Sequence, residues 1–163
     1  MSKDQVIVRP ATLEDCVDTA IIHGESIRGL CAEHYTPEQI HAWHPEDKPE
    51  NMRIGMTEKG LIPFIAEHNN RAVGFSLLDP ATNTLLAVYV LPEYAGKGVG
   101  RLLTEAIEVE AVKQGCELLQ LDSSMNALPF YKRCGYIEGE HTTHRLNTGV
   151  DIPCVKMHKN LRS

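Results

Sequence analysis

Apolar and polar residues alternate over Gln5–Arg9, the two-residue period of a half-buried strand. Thr12 then offers a helix N-cap, and Asp15 three residues on completes a variant of the capping box. A helix is expected from there to Ile27 or Arg28, with Gly29 closing it. Thr36-Pro37-Glu38 is a second start signal, a capping residue followed by proline at the first helical position, for a short helix ending near Trp43–His44. Pro45–Glu50 is polar and proline-rich and reads as a surface loop. Strand-like runs come next at Leu61–Glu67 and Arg71–Leu78, joined by Asn69-Asn70, residues that tolerate positive φ in tight hairpins. Thr84–Leu91 is the most hydrophobic strand and is expected at the centre of a sheet, buried on both faces.

From Gly98 the period becomes helical. Val99, Leu103, Ile107 and Ala111 lie on one i+4 row, with Leu102 and Ala106 widening the stripe and Gly115 as the C-cap. Glu117–Asp122 reads as a strand, and Asn126–Cys134 as a short helix ended by Gly135. Tyr136–Arg145 and Val150–Lys159 read as two strands around the turn Asn147-Thr148-Gly149. The order is strand, two helices, three strands, helix, strand, helix, two strands. This is a mixed α/β (α+β) domain with a partly antiparallel sheet, expected as one domain over residues 1–163.

Composition narrows the function. The chain has 163 residues and a formal charge of −6, a poor match to a nucleic-acid partner and mildly favourable to a cationic one. Its longest apolar run, Leu85 to Leu91, is far shorter than the ~20 residues of a membrane helix, so no membrane partner is expected. Five cysteines without a CxxC pair, and an N-terminus without an apolar signal core, point to the cytoplasm. His41 and His44, and His141 and His144, are three apart. Neither pair has a neighbouring Cys or carboxylate at a usual zinc spacing, so no metal is expected.

The chemistry gathers at Gly96-Lys97-Gly98-Val99-Gly100-Arg101, between the most hydrophobic strand and the longest helix. Unpaired N–H groups at a helix start, with the helix dipole behind them, suit an anion. Glycines allow its close approach, and Lys97 and Arg101 add charge. Val99 and Gly100 stand where a Walker loop needs Lys and Ser or Thr. Arg101 and Leu103 stand where a dinucleotide fingerprint needs a small residue.

Residues 88–103, VYVLPEYAGKGVGRLL, resemble the acyl-CoA-binding motif of the GNAT N-acetyltransferase superfamily. Residues 124–136, SMNALPFYKRCGY, resemble its second signature. The element order matches as well, so the resemblance spans nearly the whole chain. It implies a sheet whose central strands splay to bind acetyl-CoA, with the pantetheine arm along Val88, Tyr89 and Val90. The pyrophosphate would lie on Gly96–Arg101, and a backbone N–H near Val90 would serve as oxyanion donor. Tyr131 would protonate the departing thiolate, while Asn126 would contact the cofactor or cap its helix. Where the family often has Gln or Arg, this chain has Ala95, a departure that bears on pyrophosphate affinity and not on the fold.

The implied reaction is direct acetyl transfer to a primary amine, small-molecule or peptide, by an enzyme that could be a homodimer. A non-catalytic acyl-CoA-binding or sensing module on the same fold is the alternative, weakly favoured by Ala95 and opposed by Tyr131. Asp122, Glu25 and His144 are candidates for the general base. Tyr35, Trp43 and Glu25 form either an aromatic and acidic acceptor wall or a packed helical corner.

Overall fold

The computed structural model describes residues 5–30, 35–43, 48–146 and 148–162. Seven strands form one sheet in the order β1-β2-β3-β4-β5-β7-β6. They are β1 (Ile7–Pro10), β2 (Ile62–His68), β3 (Arg71–Asp79), β4 (Thr84–Val90), β5 (Leu118–Ser124), β6 (Ile137–Arg145) and β7 (Asp151–Asn160). Every neighbouring pair is antiparallel except β4 and β5. The helices are α1 (Cys16–Leu30), α2 (Pro37–Trp43), α3 (Pro49–Glu58), α4 (Val99–Lys113) and α5 (Leu128–Arg133).

Alternation along β3 places the helices. Gly74 and Ser76 face α4: a Cβ on Gly74 would lie 2.9 Å from Leu103, and the Ser76 hydroxyl donates to the Leu103 carbonyl. Phe75 points the other way, its ring 5.6 Å from Tyr89, which in turn meets His23 of α1 at 4.6 Å. Helices α1 and α4 therefore cover opposite faces. Val99, Leu103, Ile107 and Ala111 are each no more than 1% exposed, as their row predicts. The stripe widens on the other flank, however. Leu102 is exposed, while Thr104 is buried with its hydroxyl bonded to the Gly100 carbonyl.

Two expectations about helix ends also change. Gly29 does not close α1, which runs on to Leu30. A Cβ there would stand 2.5 Å from Pro92 Cγ, so this glycine permits close packing against the turn after β4. Of the expected loop at Pro45–Glu50, residues 45–47 lie outside the described residues, as does His44. Pro49 opens α3, a helix whose polar composition hides it from periodicity. Proline at its start and Gly60 just beyond its end, at φ 68°, were its signals.

Strand β4 is central in order but only half-buried, with Leu86 45% exposed. The cause lies on both edges. Toward β3, Leu77 faces Ala87 and Leu78 faces Leu85, leaving Leu86 as the extra residue of a β-bulge. Toward β5, the pairing is confined to Thr84 with Gln120. Beyond that point the two parallel strands diverge, and the sheet opens between them.

Candidate active site

The split in the sheet has a cavity on each side, and Val88, Tyr89, Ser124 and Ala127 line both. One cavity, of about 520 Å³, runs from this shared wall past Val90 to Gly96, Gly98 and Gly100, with Asn126, Arg101 and Arg133 at its margins. The other, of about 330 Å³, extends beneath α1 and α3 and across β5 to Asp122, Cys154 and His144, with Tyr131 on its wall.

The glycine loop is built as an anion cradle. A turn at Pro92–Tyr94 ends β4, held by Leu91 N–H donating to the Val73 carbonyl at 2.9 Å. Gly96 and Gly98 then take φ of 74° and 86°, where a side chain would be strained, and each has open space where a Cβ would stand. Gly98 is the N-cap of α4, and the Leu102 N–H is the one that returns to it. The N–H groups of Val99, Gly100 and Arg101 begin the helix without intrahelical acceptors. At Gly100 the constraint is packing, since a Cβ would lie 3.1 Å from the Phe130 ring. This loop fits a diphosphate through backbone donors that Ala95 does not alter.

The side chains divide in ways the motif alone does not reveal. Val99 is buried, so only its backbone belongs to the cradle. Arg101 is exposed and paired with Glu105 at 3.3 Å. Lys97 lies outside the cavity lining, its ammonium 5.7 Å from the Tyr94 ring centre. Tyr94 in turn is bonded to His68 Nδ1 at 2.7 Å. Arg133, from the last turn of α5, brings a second guanidinium to the cavity. Sequence reasoning missed it, although the Lys132-Arg133 pair directly after Phe130-Tyr131 was the available signal.

Tyr131 is 6% exposed, with edge-on contacts to Phe130 and Tyr136. No buried polar side-chain atom among the described residues lacks a partner. Its hydroxyl has no hydrogen bond among them and opens onto the cavity. Burial, with a smaller contribution from Cys134, pushes the phenol well above its ordinary pKa. It therefore stays a proton donor throughout the neutral range. Asn126 lines the cavity on the glycine-loop side, and the N-cap of α5 is Ala127.

The three base candidates separate. Asp122 and His144 line the second cavity, and Asp122 is the one carboxylate among the described residues lining either cavity. Its ion pair with Lys156 is loose, at 3.8 Å. Glu25 is exposed on α1 and lines neither. Of the two readings of Tyr35, the packed corner is the one observed: it is buried with Ile27 and Ala42, and its hydroxyl bridges the backbone of Met125 and Pro153. The Trp43 side chain lies outside the described residues. Cys134 and Cys154 face the two cavities with thiols pushed up chiefly by burial, which disfavours the nucleophilic thiolate. His141 pairs with Glu138 at 2.7 Å.

A mostly antiparallel sheet thus opens between two parallel strands, with a glycine-rich helix start at the opening. Comparison with known proteins is specific. Residues 31–161 match the acetyltransferase (GNAT) domain family. A GCN5-related N-acetyltransferase from Rhodopseudomonas palustris superposes with a TM-score of 0.88 at 31% identity, covering 98% of both chains. The PaiA N-acetyltransferase of Thermoplasma acidophilum, solved with coenzyme A, has a TM-score of 0.73 at 20% identity, covering 96% of this chain and 99% of that one. The uncharacterized N-acetyltransferase YafP of Escherichia coli (strain K12) is 30% identical over 105 residues, 64% of this chain and 63% of its own. The chain spans somewhat less than two thirds of the length of the curated relatives it matches. It belongs to the GNAT acetyltransferase family.

Proposed function

We propose that the protein is an N-acetyltransferase that moves the acetyl group of acetyl-CoA directly to a primary amine. The observation that carries this is the wall shared by the two cavities. An extended donor on the glycine-loop side and an amine on the Asp122 side would meet at Val88, Tyr89, Ser124 and Ala127, beside Tyr131. When bound, acetyl-CoA supplies an activated thioester.

The chain's own groups do the rest. The N–H groups at the start of α4, with Arg101 and Arg133, hold the diphosphate. The edge of β4 that β5 leaves unpaired offers backbone N–H and C=O groups at Val88 and Val90 to the pantetheine amides, and a backbone N–H there to the developing oxyanion. Asp122 receives the acceptor's ammonium and takes its proton, so that a neutral amine attacks. As the C–S bond breaks, Tyr131 Oη gives its proton to the departing thiolate, and the surplus proton shed by the acylated nitrogen restores the phenol. Both thiols at the cavities are held protonated by burial, which supports direct transfer over an acetylated cysteine.

Thermal unfolding with acetyl-CoA, and with NADH and ATP as controls, tests the donor side. At a hundred times its Kd a ligand stabilises by about 2.7 kcal/mol, several degrees of midpoint. A shift with acetyl-CoA but with neither control is expected, followed by release of free thiol when primary amines are added. A shift without thiol release from any amine would favour the binding module over the enzyme. No shift at millimolar acetyl-CoA would overturn both.

A further inference from the structure

Strand β5 leaves its ladder with β7 at a defined point. The two are in register from Leu118 opposite Asn160 to Ser124 opposite Cys154, and the next pair in that register is Met125 with Pro153. Proline has no N–H to give. The rung can carry at most one bond, from the Met125 N–H to the Pro153 carbonyl. The Tyr35 hydroxyl stands in its place, accepting the Met125 N–H at 2.7 Å and donating to the Pro153 carbonyl at 2.9 Å. Tyr35 is 6% exposed and reaches this point from the chain ahead of α2, some 90 residues before Met125 in sequence.

We propose that Tyr35 is a positioning residue for the transfer reaction, its hydroxyl replacing the closing rung between β5 and β7. A direct rung would draw the two backbones together to a single hydrogen-bond length. An inserted hydroxyl holds them two hydrogen bonds apart, so β5 ends there and the chain turns into the split. This turn carries the β5 side of the shared wall. Ser124 and Ala127 line both cavities, and Asn126 lines the cofactor side. The Ala127 N–H donates to the Ser124 carbonyl at 3.2 Å, and the Ala127 carbonyl accepts the Tyr131 N–H at 3.0 Å. A backbone relay thus runs from the rung that Tyr35 occupies to the residue read as the acid.

The inference rests on the proposed reading of Tyr131, so the test separates the two. With an amine that the wild-type protein acetylates, Tyr35→Phe is expected to lower kcat by about tenfold or more, since ångström-scale misplacement at a reacting centre costs that much or more. The KM for acetyl-CoA should stay within about threefold, because the glycine loop is untouched. Thr148→Ala is the control. It cuts a different tie to α2, the bond from the Thr148 hydroxyl in the turn between β6 and β7 to the Ala42 carbonyl at 3.2 Å, and should leave kcat at the wild-type value. A Tyr35→Phe protein that melts earlier but turns over normally while folded would reduce Tyr35 to a stability element and overturn the proposal.

Should that variant not fold, Pro153→Ala probes the same rung by restoring an N–H that lets the strands pair directly. It too should lose kcat at constant KM, and a wild-type kcat would count against the proposal. If the wild-type protein acetylates nothing, the reaction reading fails while the rung can still be tested. Amide shifts between wild type and Tyr35→Phe should then spread over residues 124–131 and spare residues 96–101. Shifts confined to Met125 would overturn it.

Discussion

Tyr131 has a packed ring and a hydroxyl without a hydrogen bond among the described residues. A structural tyrosine buried to this degree satisfies its hydroxyl inside the protein, as Tyr136 does by donating to Glu108 at 2.8 Å. Tyr131 instead points its oxygen at the cavity. Tyr131→Phe keeps the ring contacts, so acetyl-CoA binding should change little while turnover falls by roughly 10²-fold or more, the share of a general acid. Wild-type turnover in the Phe variant would remove Tyr131 from the mechanism. Its raised pKa makes a second check. Loss of the proton cannot shape the neutral range, and any alkaline limb that Tyr131 adds to kcat must lie above about pH 10.

At the scale of elements, the glycine loop is held from outside itself. Pro92 sits against Gly29 of α1 and Tyr94 is bonded to His68 at the end of β2, so the turn before the glycines is gripped from both sides. Gly29→Ala separates two opposing effects. In an exposed helix interior the change gains about 1 kcal/mol. Here a Cβ 2.5 Å from Pro92 Cγ must displace the turn or bend α1, and overpacking costs ~1–3 kcal/mol. The expected outcome is a lower melting temperature with weaker acetyl-CoA binding, read by calorimetric titration. A more stable protein with unchanged affinity would show that the turn yields freely.

Across the whole molecule, the sheet has two halves joined by one short parallel contact, and charge pairs brace the first half internally and tie the second to α4, which also covers β3. In the first half Arg9 of β1 binds Asp15 through two guanidinium nitrogens at 2.8 and 2.9 Å and also bonds Glu67 of β2. In the second, Lys159 of β7 joins Glu108 of α4 at 3.0 Å to the Cys134 carbonyl at 2.8 Å. Asp15 is buried, and the Arg9 hydrogen bonds hold its carboxyl below the usual range, outweighing desolvation. A carboxylate depressed in the folded state stabilises fully above its unfolded pKa of about 3.9, and that stability is lost as pH falls through the folded value. Asp15→Asn should therefore lower stability by about 1.5–3 kcal/mol near pH 7. The gap from wild type should close below about pH 4. A gap that stays constant down to pH 2.5 in denaturant titrations would mean that the carboxylate charge contributes nothing.

The strand and helix periods, the capping signal at Thr12 and the glycine loop ahead of α4 were legible because each is set by residues within a few positions of one another. Local order of this kind placed the strands to within about two residues of their observed ends, and the cradle itself. It missed α3, whose signals are a proline and a glycine around a polar stretch, and it misread Gly29, whose role depends on Pro92 across the fold. The tertiary structure decided everything that depends on distant chain segments meeting. It left β4 half-exposed through a bulge on one edge and divergence on the other, and brought Asp122 but not Glu25 to the cavity. It also decided between the two readings of Tyr35, packing it in a buried corner with its hydroxyl between two strands. A sequence states which groups are present and which local shape each stretch prefers. Which backbone amide a hydroxyl meets some 90 residues away is set only when sheet and helices pack, because burial of the common core, and not any local preference, brings those two groups together.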